Sequence, residues 1–493
     1  MEATVIMGLS EPTPRVLVVG GSIRATGKRD QYLIEQASTA QTIDELMTAL
    51  SPENPTARGL SNSEILSSMA MFGARSEGAD IDYFSLRRLF RVEDAPRINP
   101  QEDLGLDDEV FAVDTTVIDN EALELLVSRA KQAHTIILCT PVYFGDRSSV
   151  VDAFLKILHA RDLVKGKGIS VITVGAKRNG GQETAAVYAL FDAINMGAFA
   201  VGNGAKTSQY GGTAVAGDKG AVATDIFGRE TTVGAGKRSA QLAKILAASL
   251  DPKAYEKTSI KIAVLVTADN QEREIEQLAK QYMLAAQDPN VEFEFFNLID
   301  HRIERCLACK ICPFPPMVEN GSKGFFSVGS TDYACIIDNG RDGMEIVRER
   351  LKAMDGLIIV GTNDDHYADL VDSYQSFTER TRFIRRADFE WMNTPFTSFI
   401  LKNVASTRDR AFGLRAMTSY IRHNTIASKP IRVLSDGAEL IRGPEDALEL
   451  FTQRVKRIRA GRNKIGGISV SYIAGGTGGY ADTRLDHTSA VRV

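Results

Sequence analysis

Cysteine is scarce: the chain has five in 493 residues. That is too few for a disulfide framework at this length, and it points to a reducing, cytoplasmic setting. Nowhere do about 18 apolar residues run together, so no membrane-crossing helix is expected. The first 14 residues (Met1 to Pro14) have no basic n-region and no long apolar stretch, so they do not read as a secretory signal and form a loose lead-in. Positive charge is not in excess either. The net charge is -5, and nothing global points to nucleic acid or an anionic membrane as partner. What is present is 44% hydrophobic and 25% charged residues. Two α/β domains of roughly 200–250 residues would account for the length.

The stretch from Thr140 to Gln182 organises the first half. An apolar run, Thr135 to Cys139, leads into Thr140-Pro141-Val142-Tyr143-Phe144-Gly145-Asp146-Arg147-Ser148-Ser149. A helical pattern follows at Val150, Phe154, Leu155 and Leu158. A second apolar strand, Ile169 to Val174, leads into Gly175-Ala176-Lys177-Arg178-Asn179-Gly180-Gly181-Gln182. Each strand ends in a small, polar loop that opens a helix. In a parallel sheet such loops share the crevice outside the carboxyl ends of the strands.

An earlier unit has the same form. Arg15 to Val19 is β-branched and ends at Gly20-Gly21, followed by Ser22-Ile23-Arg24-Ala25-Thr26-Gly27-Lys28 and a helical pattern from Tyr32. Hydroxyls, cations and a helix N-terminus suit an anion. The segment is neither a Walker A loop nor a G-x-G-x-x-G fingerprint. Val92 to Asp108, rich in proline and acid, reads as a surface excursion. Glycines around Lys206 to Thr213 let the backbone approach a ligand, with Tyr210 placed to cover a flat heterocycle. The alternative is a glycine-rich hairpin with a surface tyrosine.

The expected fold class is α/β, with two tandem doubly wound parallel sheets, which the resemblance given below implies are flavodoxin-like. The expected domains are 15–250 and 260–470, with Asp251 to Ser259 as linker and 474–493 as a flexible tail. In the second, Ile260 to Val266, Val291 to Leu298, Gly356 to Val360 and Ile431 to Leu434 read as strands. The order in 260–362 repeats that in 15–140.

Four cysteines cluster in this second half. Cys306, Cys309 and Cys312 are spaced C-x2-C-x2-C, with Cys335 further on. Three thiolates at this spacing fit one corner of a 4Fe-4S cubane, the fourth arriving from a distance. Zinc, which more often takes two separated pairs, and no metal at all remain open. Cys139, inside a strand, reads as core.

The first half resembles the flavodoxin-like NAD(P)H-dependent FMN reductases. The matching motifs are Gly21-Ser22-x-Arg24, Thr140 to Gly145 with Ser148, Gly175 through Gly180-Gly181-Gln182-Glu183-Thr184, and Thr207 to Gly212. The family commonly has Ser or Thr near the helix start of its first loop, where this chain has Arg29 and Asp30. The resemblance implies FMN. Its phosphate would lie at Ser22, Arg24, Thr26 and Lys28. Its ring would lie against Thr140, Pro141, Val142, Tyr143, Phe144 and Gly145, and against Gly175, Gly180, Gly181, Gln182 and Tyr210. No acid or base residue is singled out, because the redox chemistry belongs to the flavin.

The second half resembles the iron–sulfur flavoproteins in its cysteine spacing, Cys335-Ile336-Ile337-Asp338, and Asp355 to Ile359. It departs at Thr267 to Glu272, which is acidic where a phosphate loop belongs, and at Thr362 to Tyr367, where a loop with His366 replaces Thr-Pro-x-Tyr. One FMN per chain is expected.

The resemblances together imply an FMN-dependent oxidoreductase with NAD(P)H as reductant and a small-molecule or redox-protein acceptor. A 4Fe-4S cluster would act as electron relay. The halves would form an intramolecular pseudo-dimer, with the cysteines facing the first half's flavin; further homo-oligomerisation stays open. The competing readings are an electron-transfer module serving a partner enzyme and a scaffold whose second half has lost its cofactor.

Overall fold

The computed structural model describes residues 13–466, apart from 24–28, 99–109, 205–209, 219, 268–272, 286–287, 309–334, 336, 338–341, 363–368, 387–388, 403–408 and 435–446. The first apolar run becomes strand β1 (Arg15–Gly20), buried on both faces as central parallel strands are. Helices α1 (Asp30–Thr39), α2 (Ile43–Ala49) and α3 (Asn62–Ser76) precede β2 (Asp80–Ser85). A self-paired ribbon follows, β3 (Phe90–Ile98) with β4 (Val110–Ile118), so the first part of the expected Val92 to Asp108 excursion is strand instead. Then come α4 (Asn120–Gln132), β5 (Thr135–Tyr143), β6 (Asp146–Arg147), α5 (Ser149–Ala160), β7 (Gly168–Gly175), α6 (Gln182–Asn195), β8 (Phe199–Ala200), β9 (Gly212–Val215) and α7 (Ile226–Ala248).

The second unit contains β10 (Ile260–Val266), α8 (Glu274–Ala285), β11 (Val291–Asn297), α9 (Met344–Lys352), β12 (Gly356–Thr362), α10 (Asp369–Arg380) and α11 (Arg382–Arg386). It closes with β13 (Pro395–Lys402), α12 (Asp409–Tyr420), β14 (Ile426–Ala427), β15 (Ile431–Leu434) and α13 (Ala447–Lys464). Among the described residues no helix is long and apolar enough to cross a membrane.

Both units have one strand order. In the first it is β2-β1-β5-β7-β8, with β9 continuing on β7; in the second it is β11-β10-β12-β13-β14, with β15 continuing on β13. This is the flavodoxin-like 2-1-3-4-5 order, with the fifth strand split in each unit. The two sheets are not separate, however. β8 and β14 pair antiparallel at Ala200 and Ala427, making one 13-stranded sheet. An apolar layer on one face runs through both units, from Leu17 and Phe154 to Trp391 and Tyr420. On the other face α7 packs on α13 through Leu242, Ile245, Leu246 and Ile458.

Polar contacts close the joint. Arg238 on α7 is fully buried and donates to Asn393 Oδ1 at 2.5 Å and Asn424 O at 2.7 Å. Arg457 donates to Gly166 O at 3.0 Å, and Arg432 to Asn195 Oδ1 at 3.0 Å.

Because the joint is antiparallel, the carboxyl ends of the second unit's strands leave it toward the edge opposite those of the first. The cysteine segment starts from β11, seven strand steps from β5, or about 34 Å at the usual strand spacing. Two residues before Cys306, Glu304 is held within the second unit, its carbonyl accepting from Arg380 at 2.8 Å. The expectation that the cysteines face the first unit's flavin loops is not what this topology gives. Cys309 and Cys312 lie outside the described residues.

Candidate functional site

Three loops leave the carboxyl ends of β1, β5 and β7, which are adjacent and in register. The first two are stapled together. Gly21 N donates to Cys139 O at 2.7 Å. Ser148 Oγ donates to Gly21 O at 2.9 Å, and Ser148 N donates to Thr140 Oγ1 at 3.0 Å. Thr140 and Ser148 are both buried; the Ser148 hydroxyl holds loop to loop, and the Thr140 hydroxyl braces the second loop from within. Ser22 is buried nearby. Arg24, Thr26 and Lys28 lie outside the described residues.

The second loop is a tight hairpin. Val142 pairs with Arg147 and Tyr143 with Asp146. Between them Phe144 (φ +52°) and Gly145 (φ +79°) are both left-handed. That is the mirror-image turn whose twist suits a two-residue hairpin. A Phe there costs about 1–2 kcal/mol of backbone strain, and its ring is fully exposed. Tyr143 is half-exposed, and Pro141 and Val142 are partly buried. The strained, solvated Phe144 ring adds nothing to the core, as expected of a position kept for a ligand.

The third loop touches this hairpin. Gly181 has φ +94°, and a Cβ on it would stand 2.5 Å from Gly145 Cα. Gly180 N donates to Lys177 O at 3.1 Å. Gln182 is buried, and its amide donates to Lys177 O at 2.7 Å and Ala214 O at 3.3 Å. A Cβ on Gly175 would stand 2.8 Å from that amide. Gln182 and Gly175 thus brace the loop from beneath, while Gly180 and Gly181 line it. Arg178 pairs with Asp225 at 2.7 Å and covers the Phe227 ring.

Tyr210 lies elsewhere. A Cβ on its neighbour Gly211 would overlap Val171 O, and β9 joins β7 at Ile172. Val171 is four residues, or about 13 Å, short of the strand end at Gly175. The Tyr210 ring packs against the shared apolar layer, with Arg422 of the second unit over it at 5.6 Å. It belongs to the joint.

Sequence reading missed which helix crosses the sheet behind the first loop. α3 packs across β1, β2 and β5, while α1 lies outside it against β2. Cys139 Sγ donates to Ser63 O at 3.3 Å, so the start of α3 sits at the end of β5. Ser61 and Glu64 form a full capping box. The signal was there as Ser61-x-x-Glu64. α1 and α2 stand between the first loop and this helix start, which carries Ser61 and Ser63. Burial raises the Glu64 carboxyl above its usual range and lifts the Cys139 thiol to about 12. Cys139 is an inert core thiol.

Of the cysteines, Cys306 is partly exposed and Cys335 buried. Among the described residues no group of three or more potential metal ligands occurs.

Comparison with known proteins bears on the family. Residues 55–211 match the family described as NADPH-dependent FMN reductase. An iron–sulfur flavoprotein of Methanocaldococcus jannaschii is 34% identical over 139 residues, covering 26% of this chain and 68% of that protein. Among solved structures, the flavoenzyme NAD(P)H:(acceptor) oxidoreductase of Paracoccus denitrificans aligns at 10% identity and TM-score 0.25, over 43% of this chain and 100% of its own. Oxidised flavodoxin 1 of Bacillus cereus aligns at 11% identity and TM-score 0.22, over 40% and 97%. The fold assignment rests on the strand order and not on these structural scores. The chain belongs to the family of the iron–sulfur flavoproteins, and at that level it is a flavin-dependent oxidoreductase.

Proposed function

We propose that the chain binds FMN in its first unit, takes electrons from NAD(P)H and passes them to a small-molecule or redox-protein acceptor. One observation carries this reading. The loops after β5 and β7 meet at Gly145 and Gly181, beside an exposed Tyr143 and a strained, exposed Phe144. The site is at the carboxyl edge, where such sheets bind ligands. When bound, FMN supplies the redox chemistry itself; the protein supplies binding and orientation.

In this reading Ser22, Arg24, Thr26 and Lys28 hold the phosphate by charge-assisted hydrogen bonds. Tyr143 and Phe144, with Pro141 and Val142, form the apolar wall. Backbone N–H groups at Gly145 and Gly181 meet the polar edge of the ring, and Gly180, its own N–H held by Lys177 O, lets the loop pass close by. Thr140, Ser148, Gly175 and Gln182 keep the loops in place.

A second part of the proposal is a 4Fe-4S cluster on Cys306, Cys309, Cys312 and Cys335. Its support is the C-x2-C-x2-C spacing and the name of the relative. The test is flavin released by denaturation together with NAD(P)H oxidation by the purified protein. One FMN per chain and steady oxidation are expected. A colourless protein would overturn the flavin reading, and a yellow protein inert toward both nucleotides would leave an electron-transfer module instead.

A further inference from the structure

The hairpin that carries Tyr143 and Phe144 has only two paired residues on each side. So short a ladder does not hold itself in water. What anchors it is Arg147. Its side chain is 12% exposed, and Nη2 lies 2.9 Å from Asp152 Oδ1 and 2.6 Å from Asp192 Oδ2. Nη1 is 3.7 Å from Asp146 Oδ1, which also accepts the Arg147 N–H at 2.7 Å. Asp152 is in the first turn of α5, the helix opened by the hairpin itself. Asp192 is on α6, the helix opened by the Gly180-Gly181 loop.

We propose that Arg147 is a positioning residue: it locks the aromatic hairpin to α5 and α6 and so fixes the distance between the two walls of the flavin cleft. This rests on the flavin reading above. A guanidinium suits the task because its planar, always charged head carries several N–H donors in fixed directions: Nη2 reaches Asp152 and Asp192 while Nη1 faces Asp146. The bond to Asp192 is the informative one. It joins the second loop to the helix of the third, so breaking it frees the hairpin without touching either loop. Asp192 is 47% exposed, so changing it does not disturb the core.

The test titrates FMN into flavin-free full-length protein for wild type, Asp192→Asn, Arg147→Gln and Arg147→Lys, with a melting curve of each flavin-free protein. Asp192→Asn and Arg147→Gln are expected to raise the FMN Kd by about tenfold, equivalent to about 1.4 kcal/mol. They should also weaken the visible circular dichroism of the bound flavin. Arg147→Lys should recover part of the affinity. The melting temperature of Asp192→Asn should stay near wild type. A lowered melting temperature with unchanged Kd would mean a merely structural ion pair and would overturn the proposal. Failure of wild type to take up FMN would instead strike the flavin reading itself.

Discussion

Gly181 rests directly on Gly145: a Cβ on Gly181 would stand 2.5 Å from the Gly145 Cα, and Gly181 is left-handed at φ +94°. Both the contact and the dihedral exclude a side chain. Gly181→Val should push the two loops apart, cost about 1–3 kcal/mol, and leave the protein without flavin. Absorbance of the purified variant and its thermal melt decide this. A yellow variant with normal stoichiometry would remove the third loop from the site.

The joint should depend on Arg238. Its guanidinium is buried between the units, and burial lowers its pKa to about 9. Arg238→Met removes the bonds to Asn393 and Asn424 and leaves those acceptors buried. A loss of about 1.5–3 kcal/mol is expected, the range for hydrogen bonds to a charged group. Calorimetry should then show the units melting in two steps where wild type melts in one. One unshifted transition in the variant would show that the apolar contacts of α7 and α13 suffice.

Acid should weaken the first unit through His134. Its Nδ1 accepts the Arg15 N–H at 3.0 Å, which requires the neutral ring. Burial, with the charges of Lys167, Arg457 and Arg15, pushes its pKa from 6.5 to about 4. The folded value lies below the unfolded one, so the unfolded chain takes up the proton first. This contribution is complete above about pH 6.5 and is lost as pH falls toward about 4. His134→Gln keeps an acceptor that does not titrate. Denaturant unfolding between about pH 4 and pH 7 should show a shallower loss for the variant. Equal slopes would rule His134 out as a source of acid sensitivity.

Cys306→Ser tests the two proposed cofactor sites separately. After anaerobic reconstitution the wild type should carry iron and the variant much less, with flavin content equal in both. The joint keeps the units' carboxyl edges apart, so losing the cluster should not disturb the flavin loops. Background iron in the wild type would end the cluster proposal and leave the flavin reading standing.

Much of the first unit was readable from its sequence. β1, β5 and β7 are short β-branched runs ending in small, polar loops, and each became a central strand with its loop at the carboxyl edge. Other features gave no such signal. β13 opens with Pro395 and carries Thr397, Ser398 and Lys402, so it does not read as a central strand. That α3 is the helix crossing the sheet does not read from the pattern, because α1 and α2 stand between it and the first loop. Tyr210 looked like a lid for a heterocycle, yet it lies under Arg422 from a segment more than 200 positions away.

The sequence by itself determined the elements and the chemistry of their loops. Strand runs, caps and glycine turns act over a few residues and are written locally. The tertiary structure alone decided that two sheets become one, that Arg238 is a buried link, and that Gly181 presses on Gly145. The physical reason is that these are pairings between distant segments. Ala200 and Ala427 join through backbone groups that every residue carries, so no side-chain pattern marks the edge before the chain has folded.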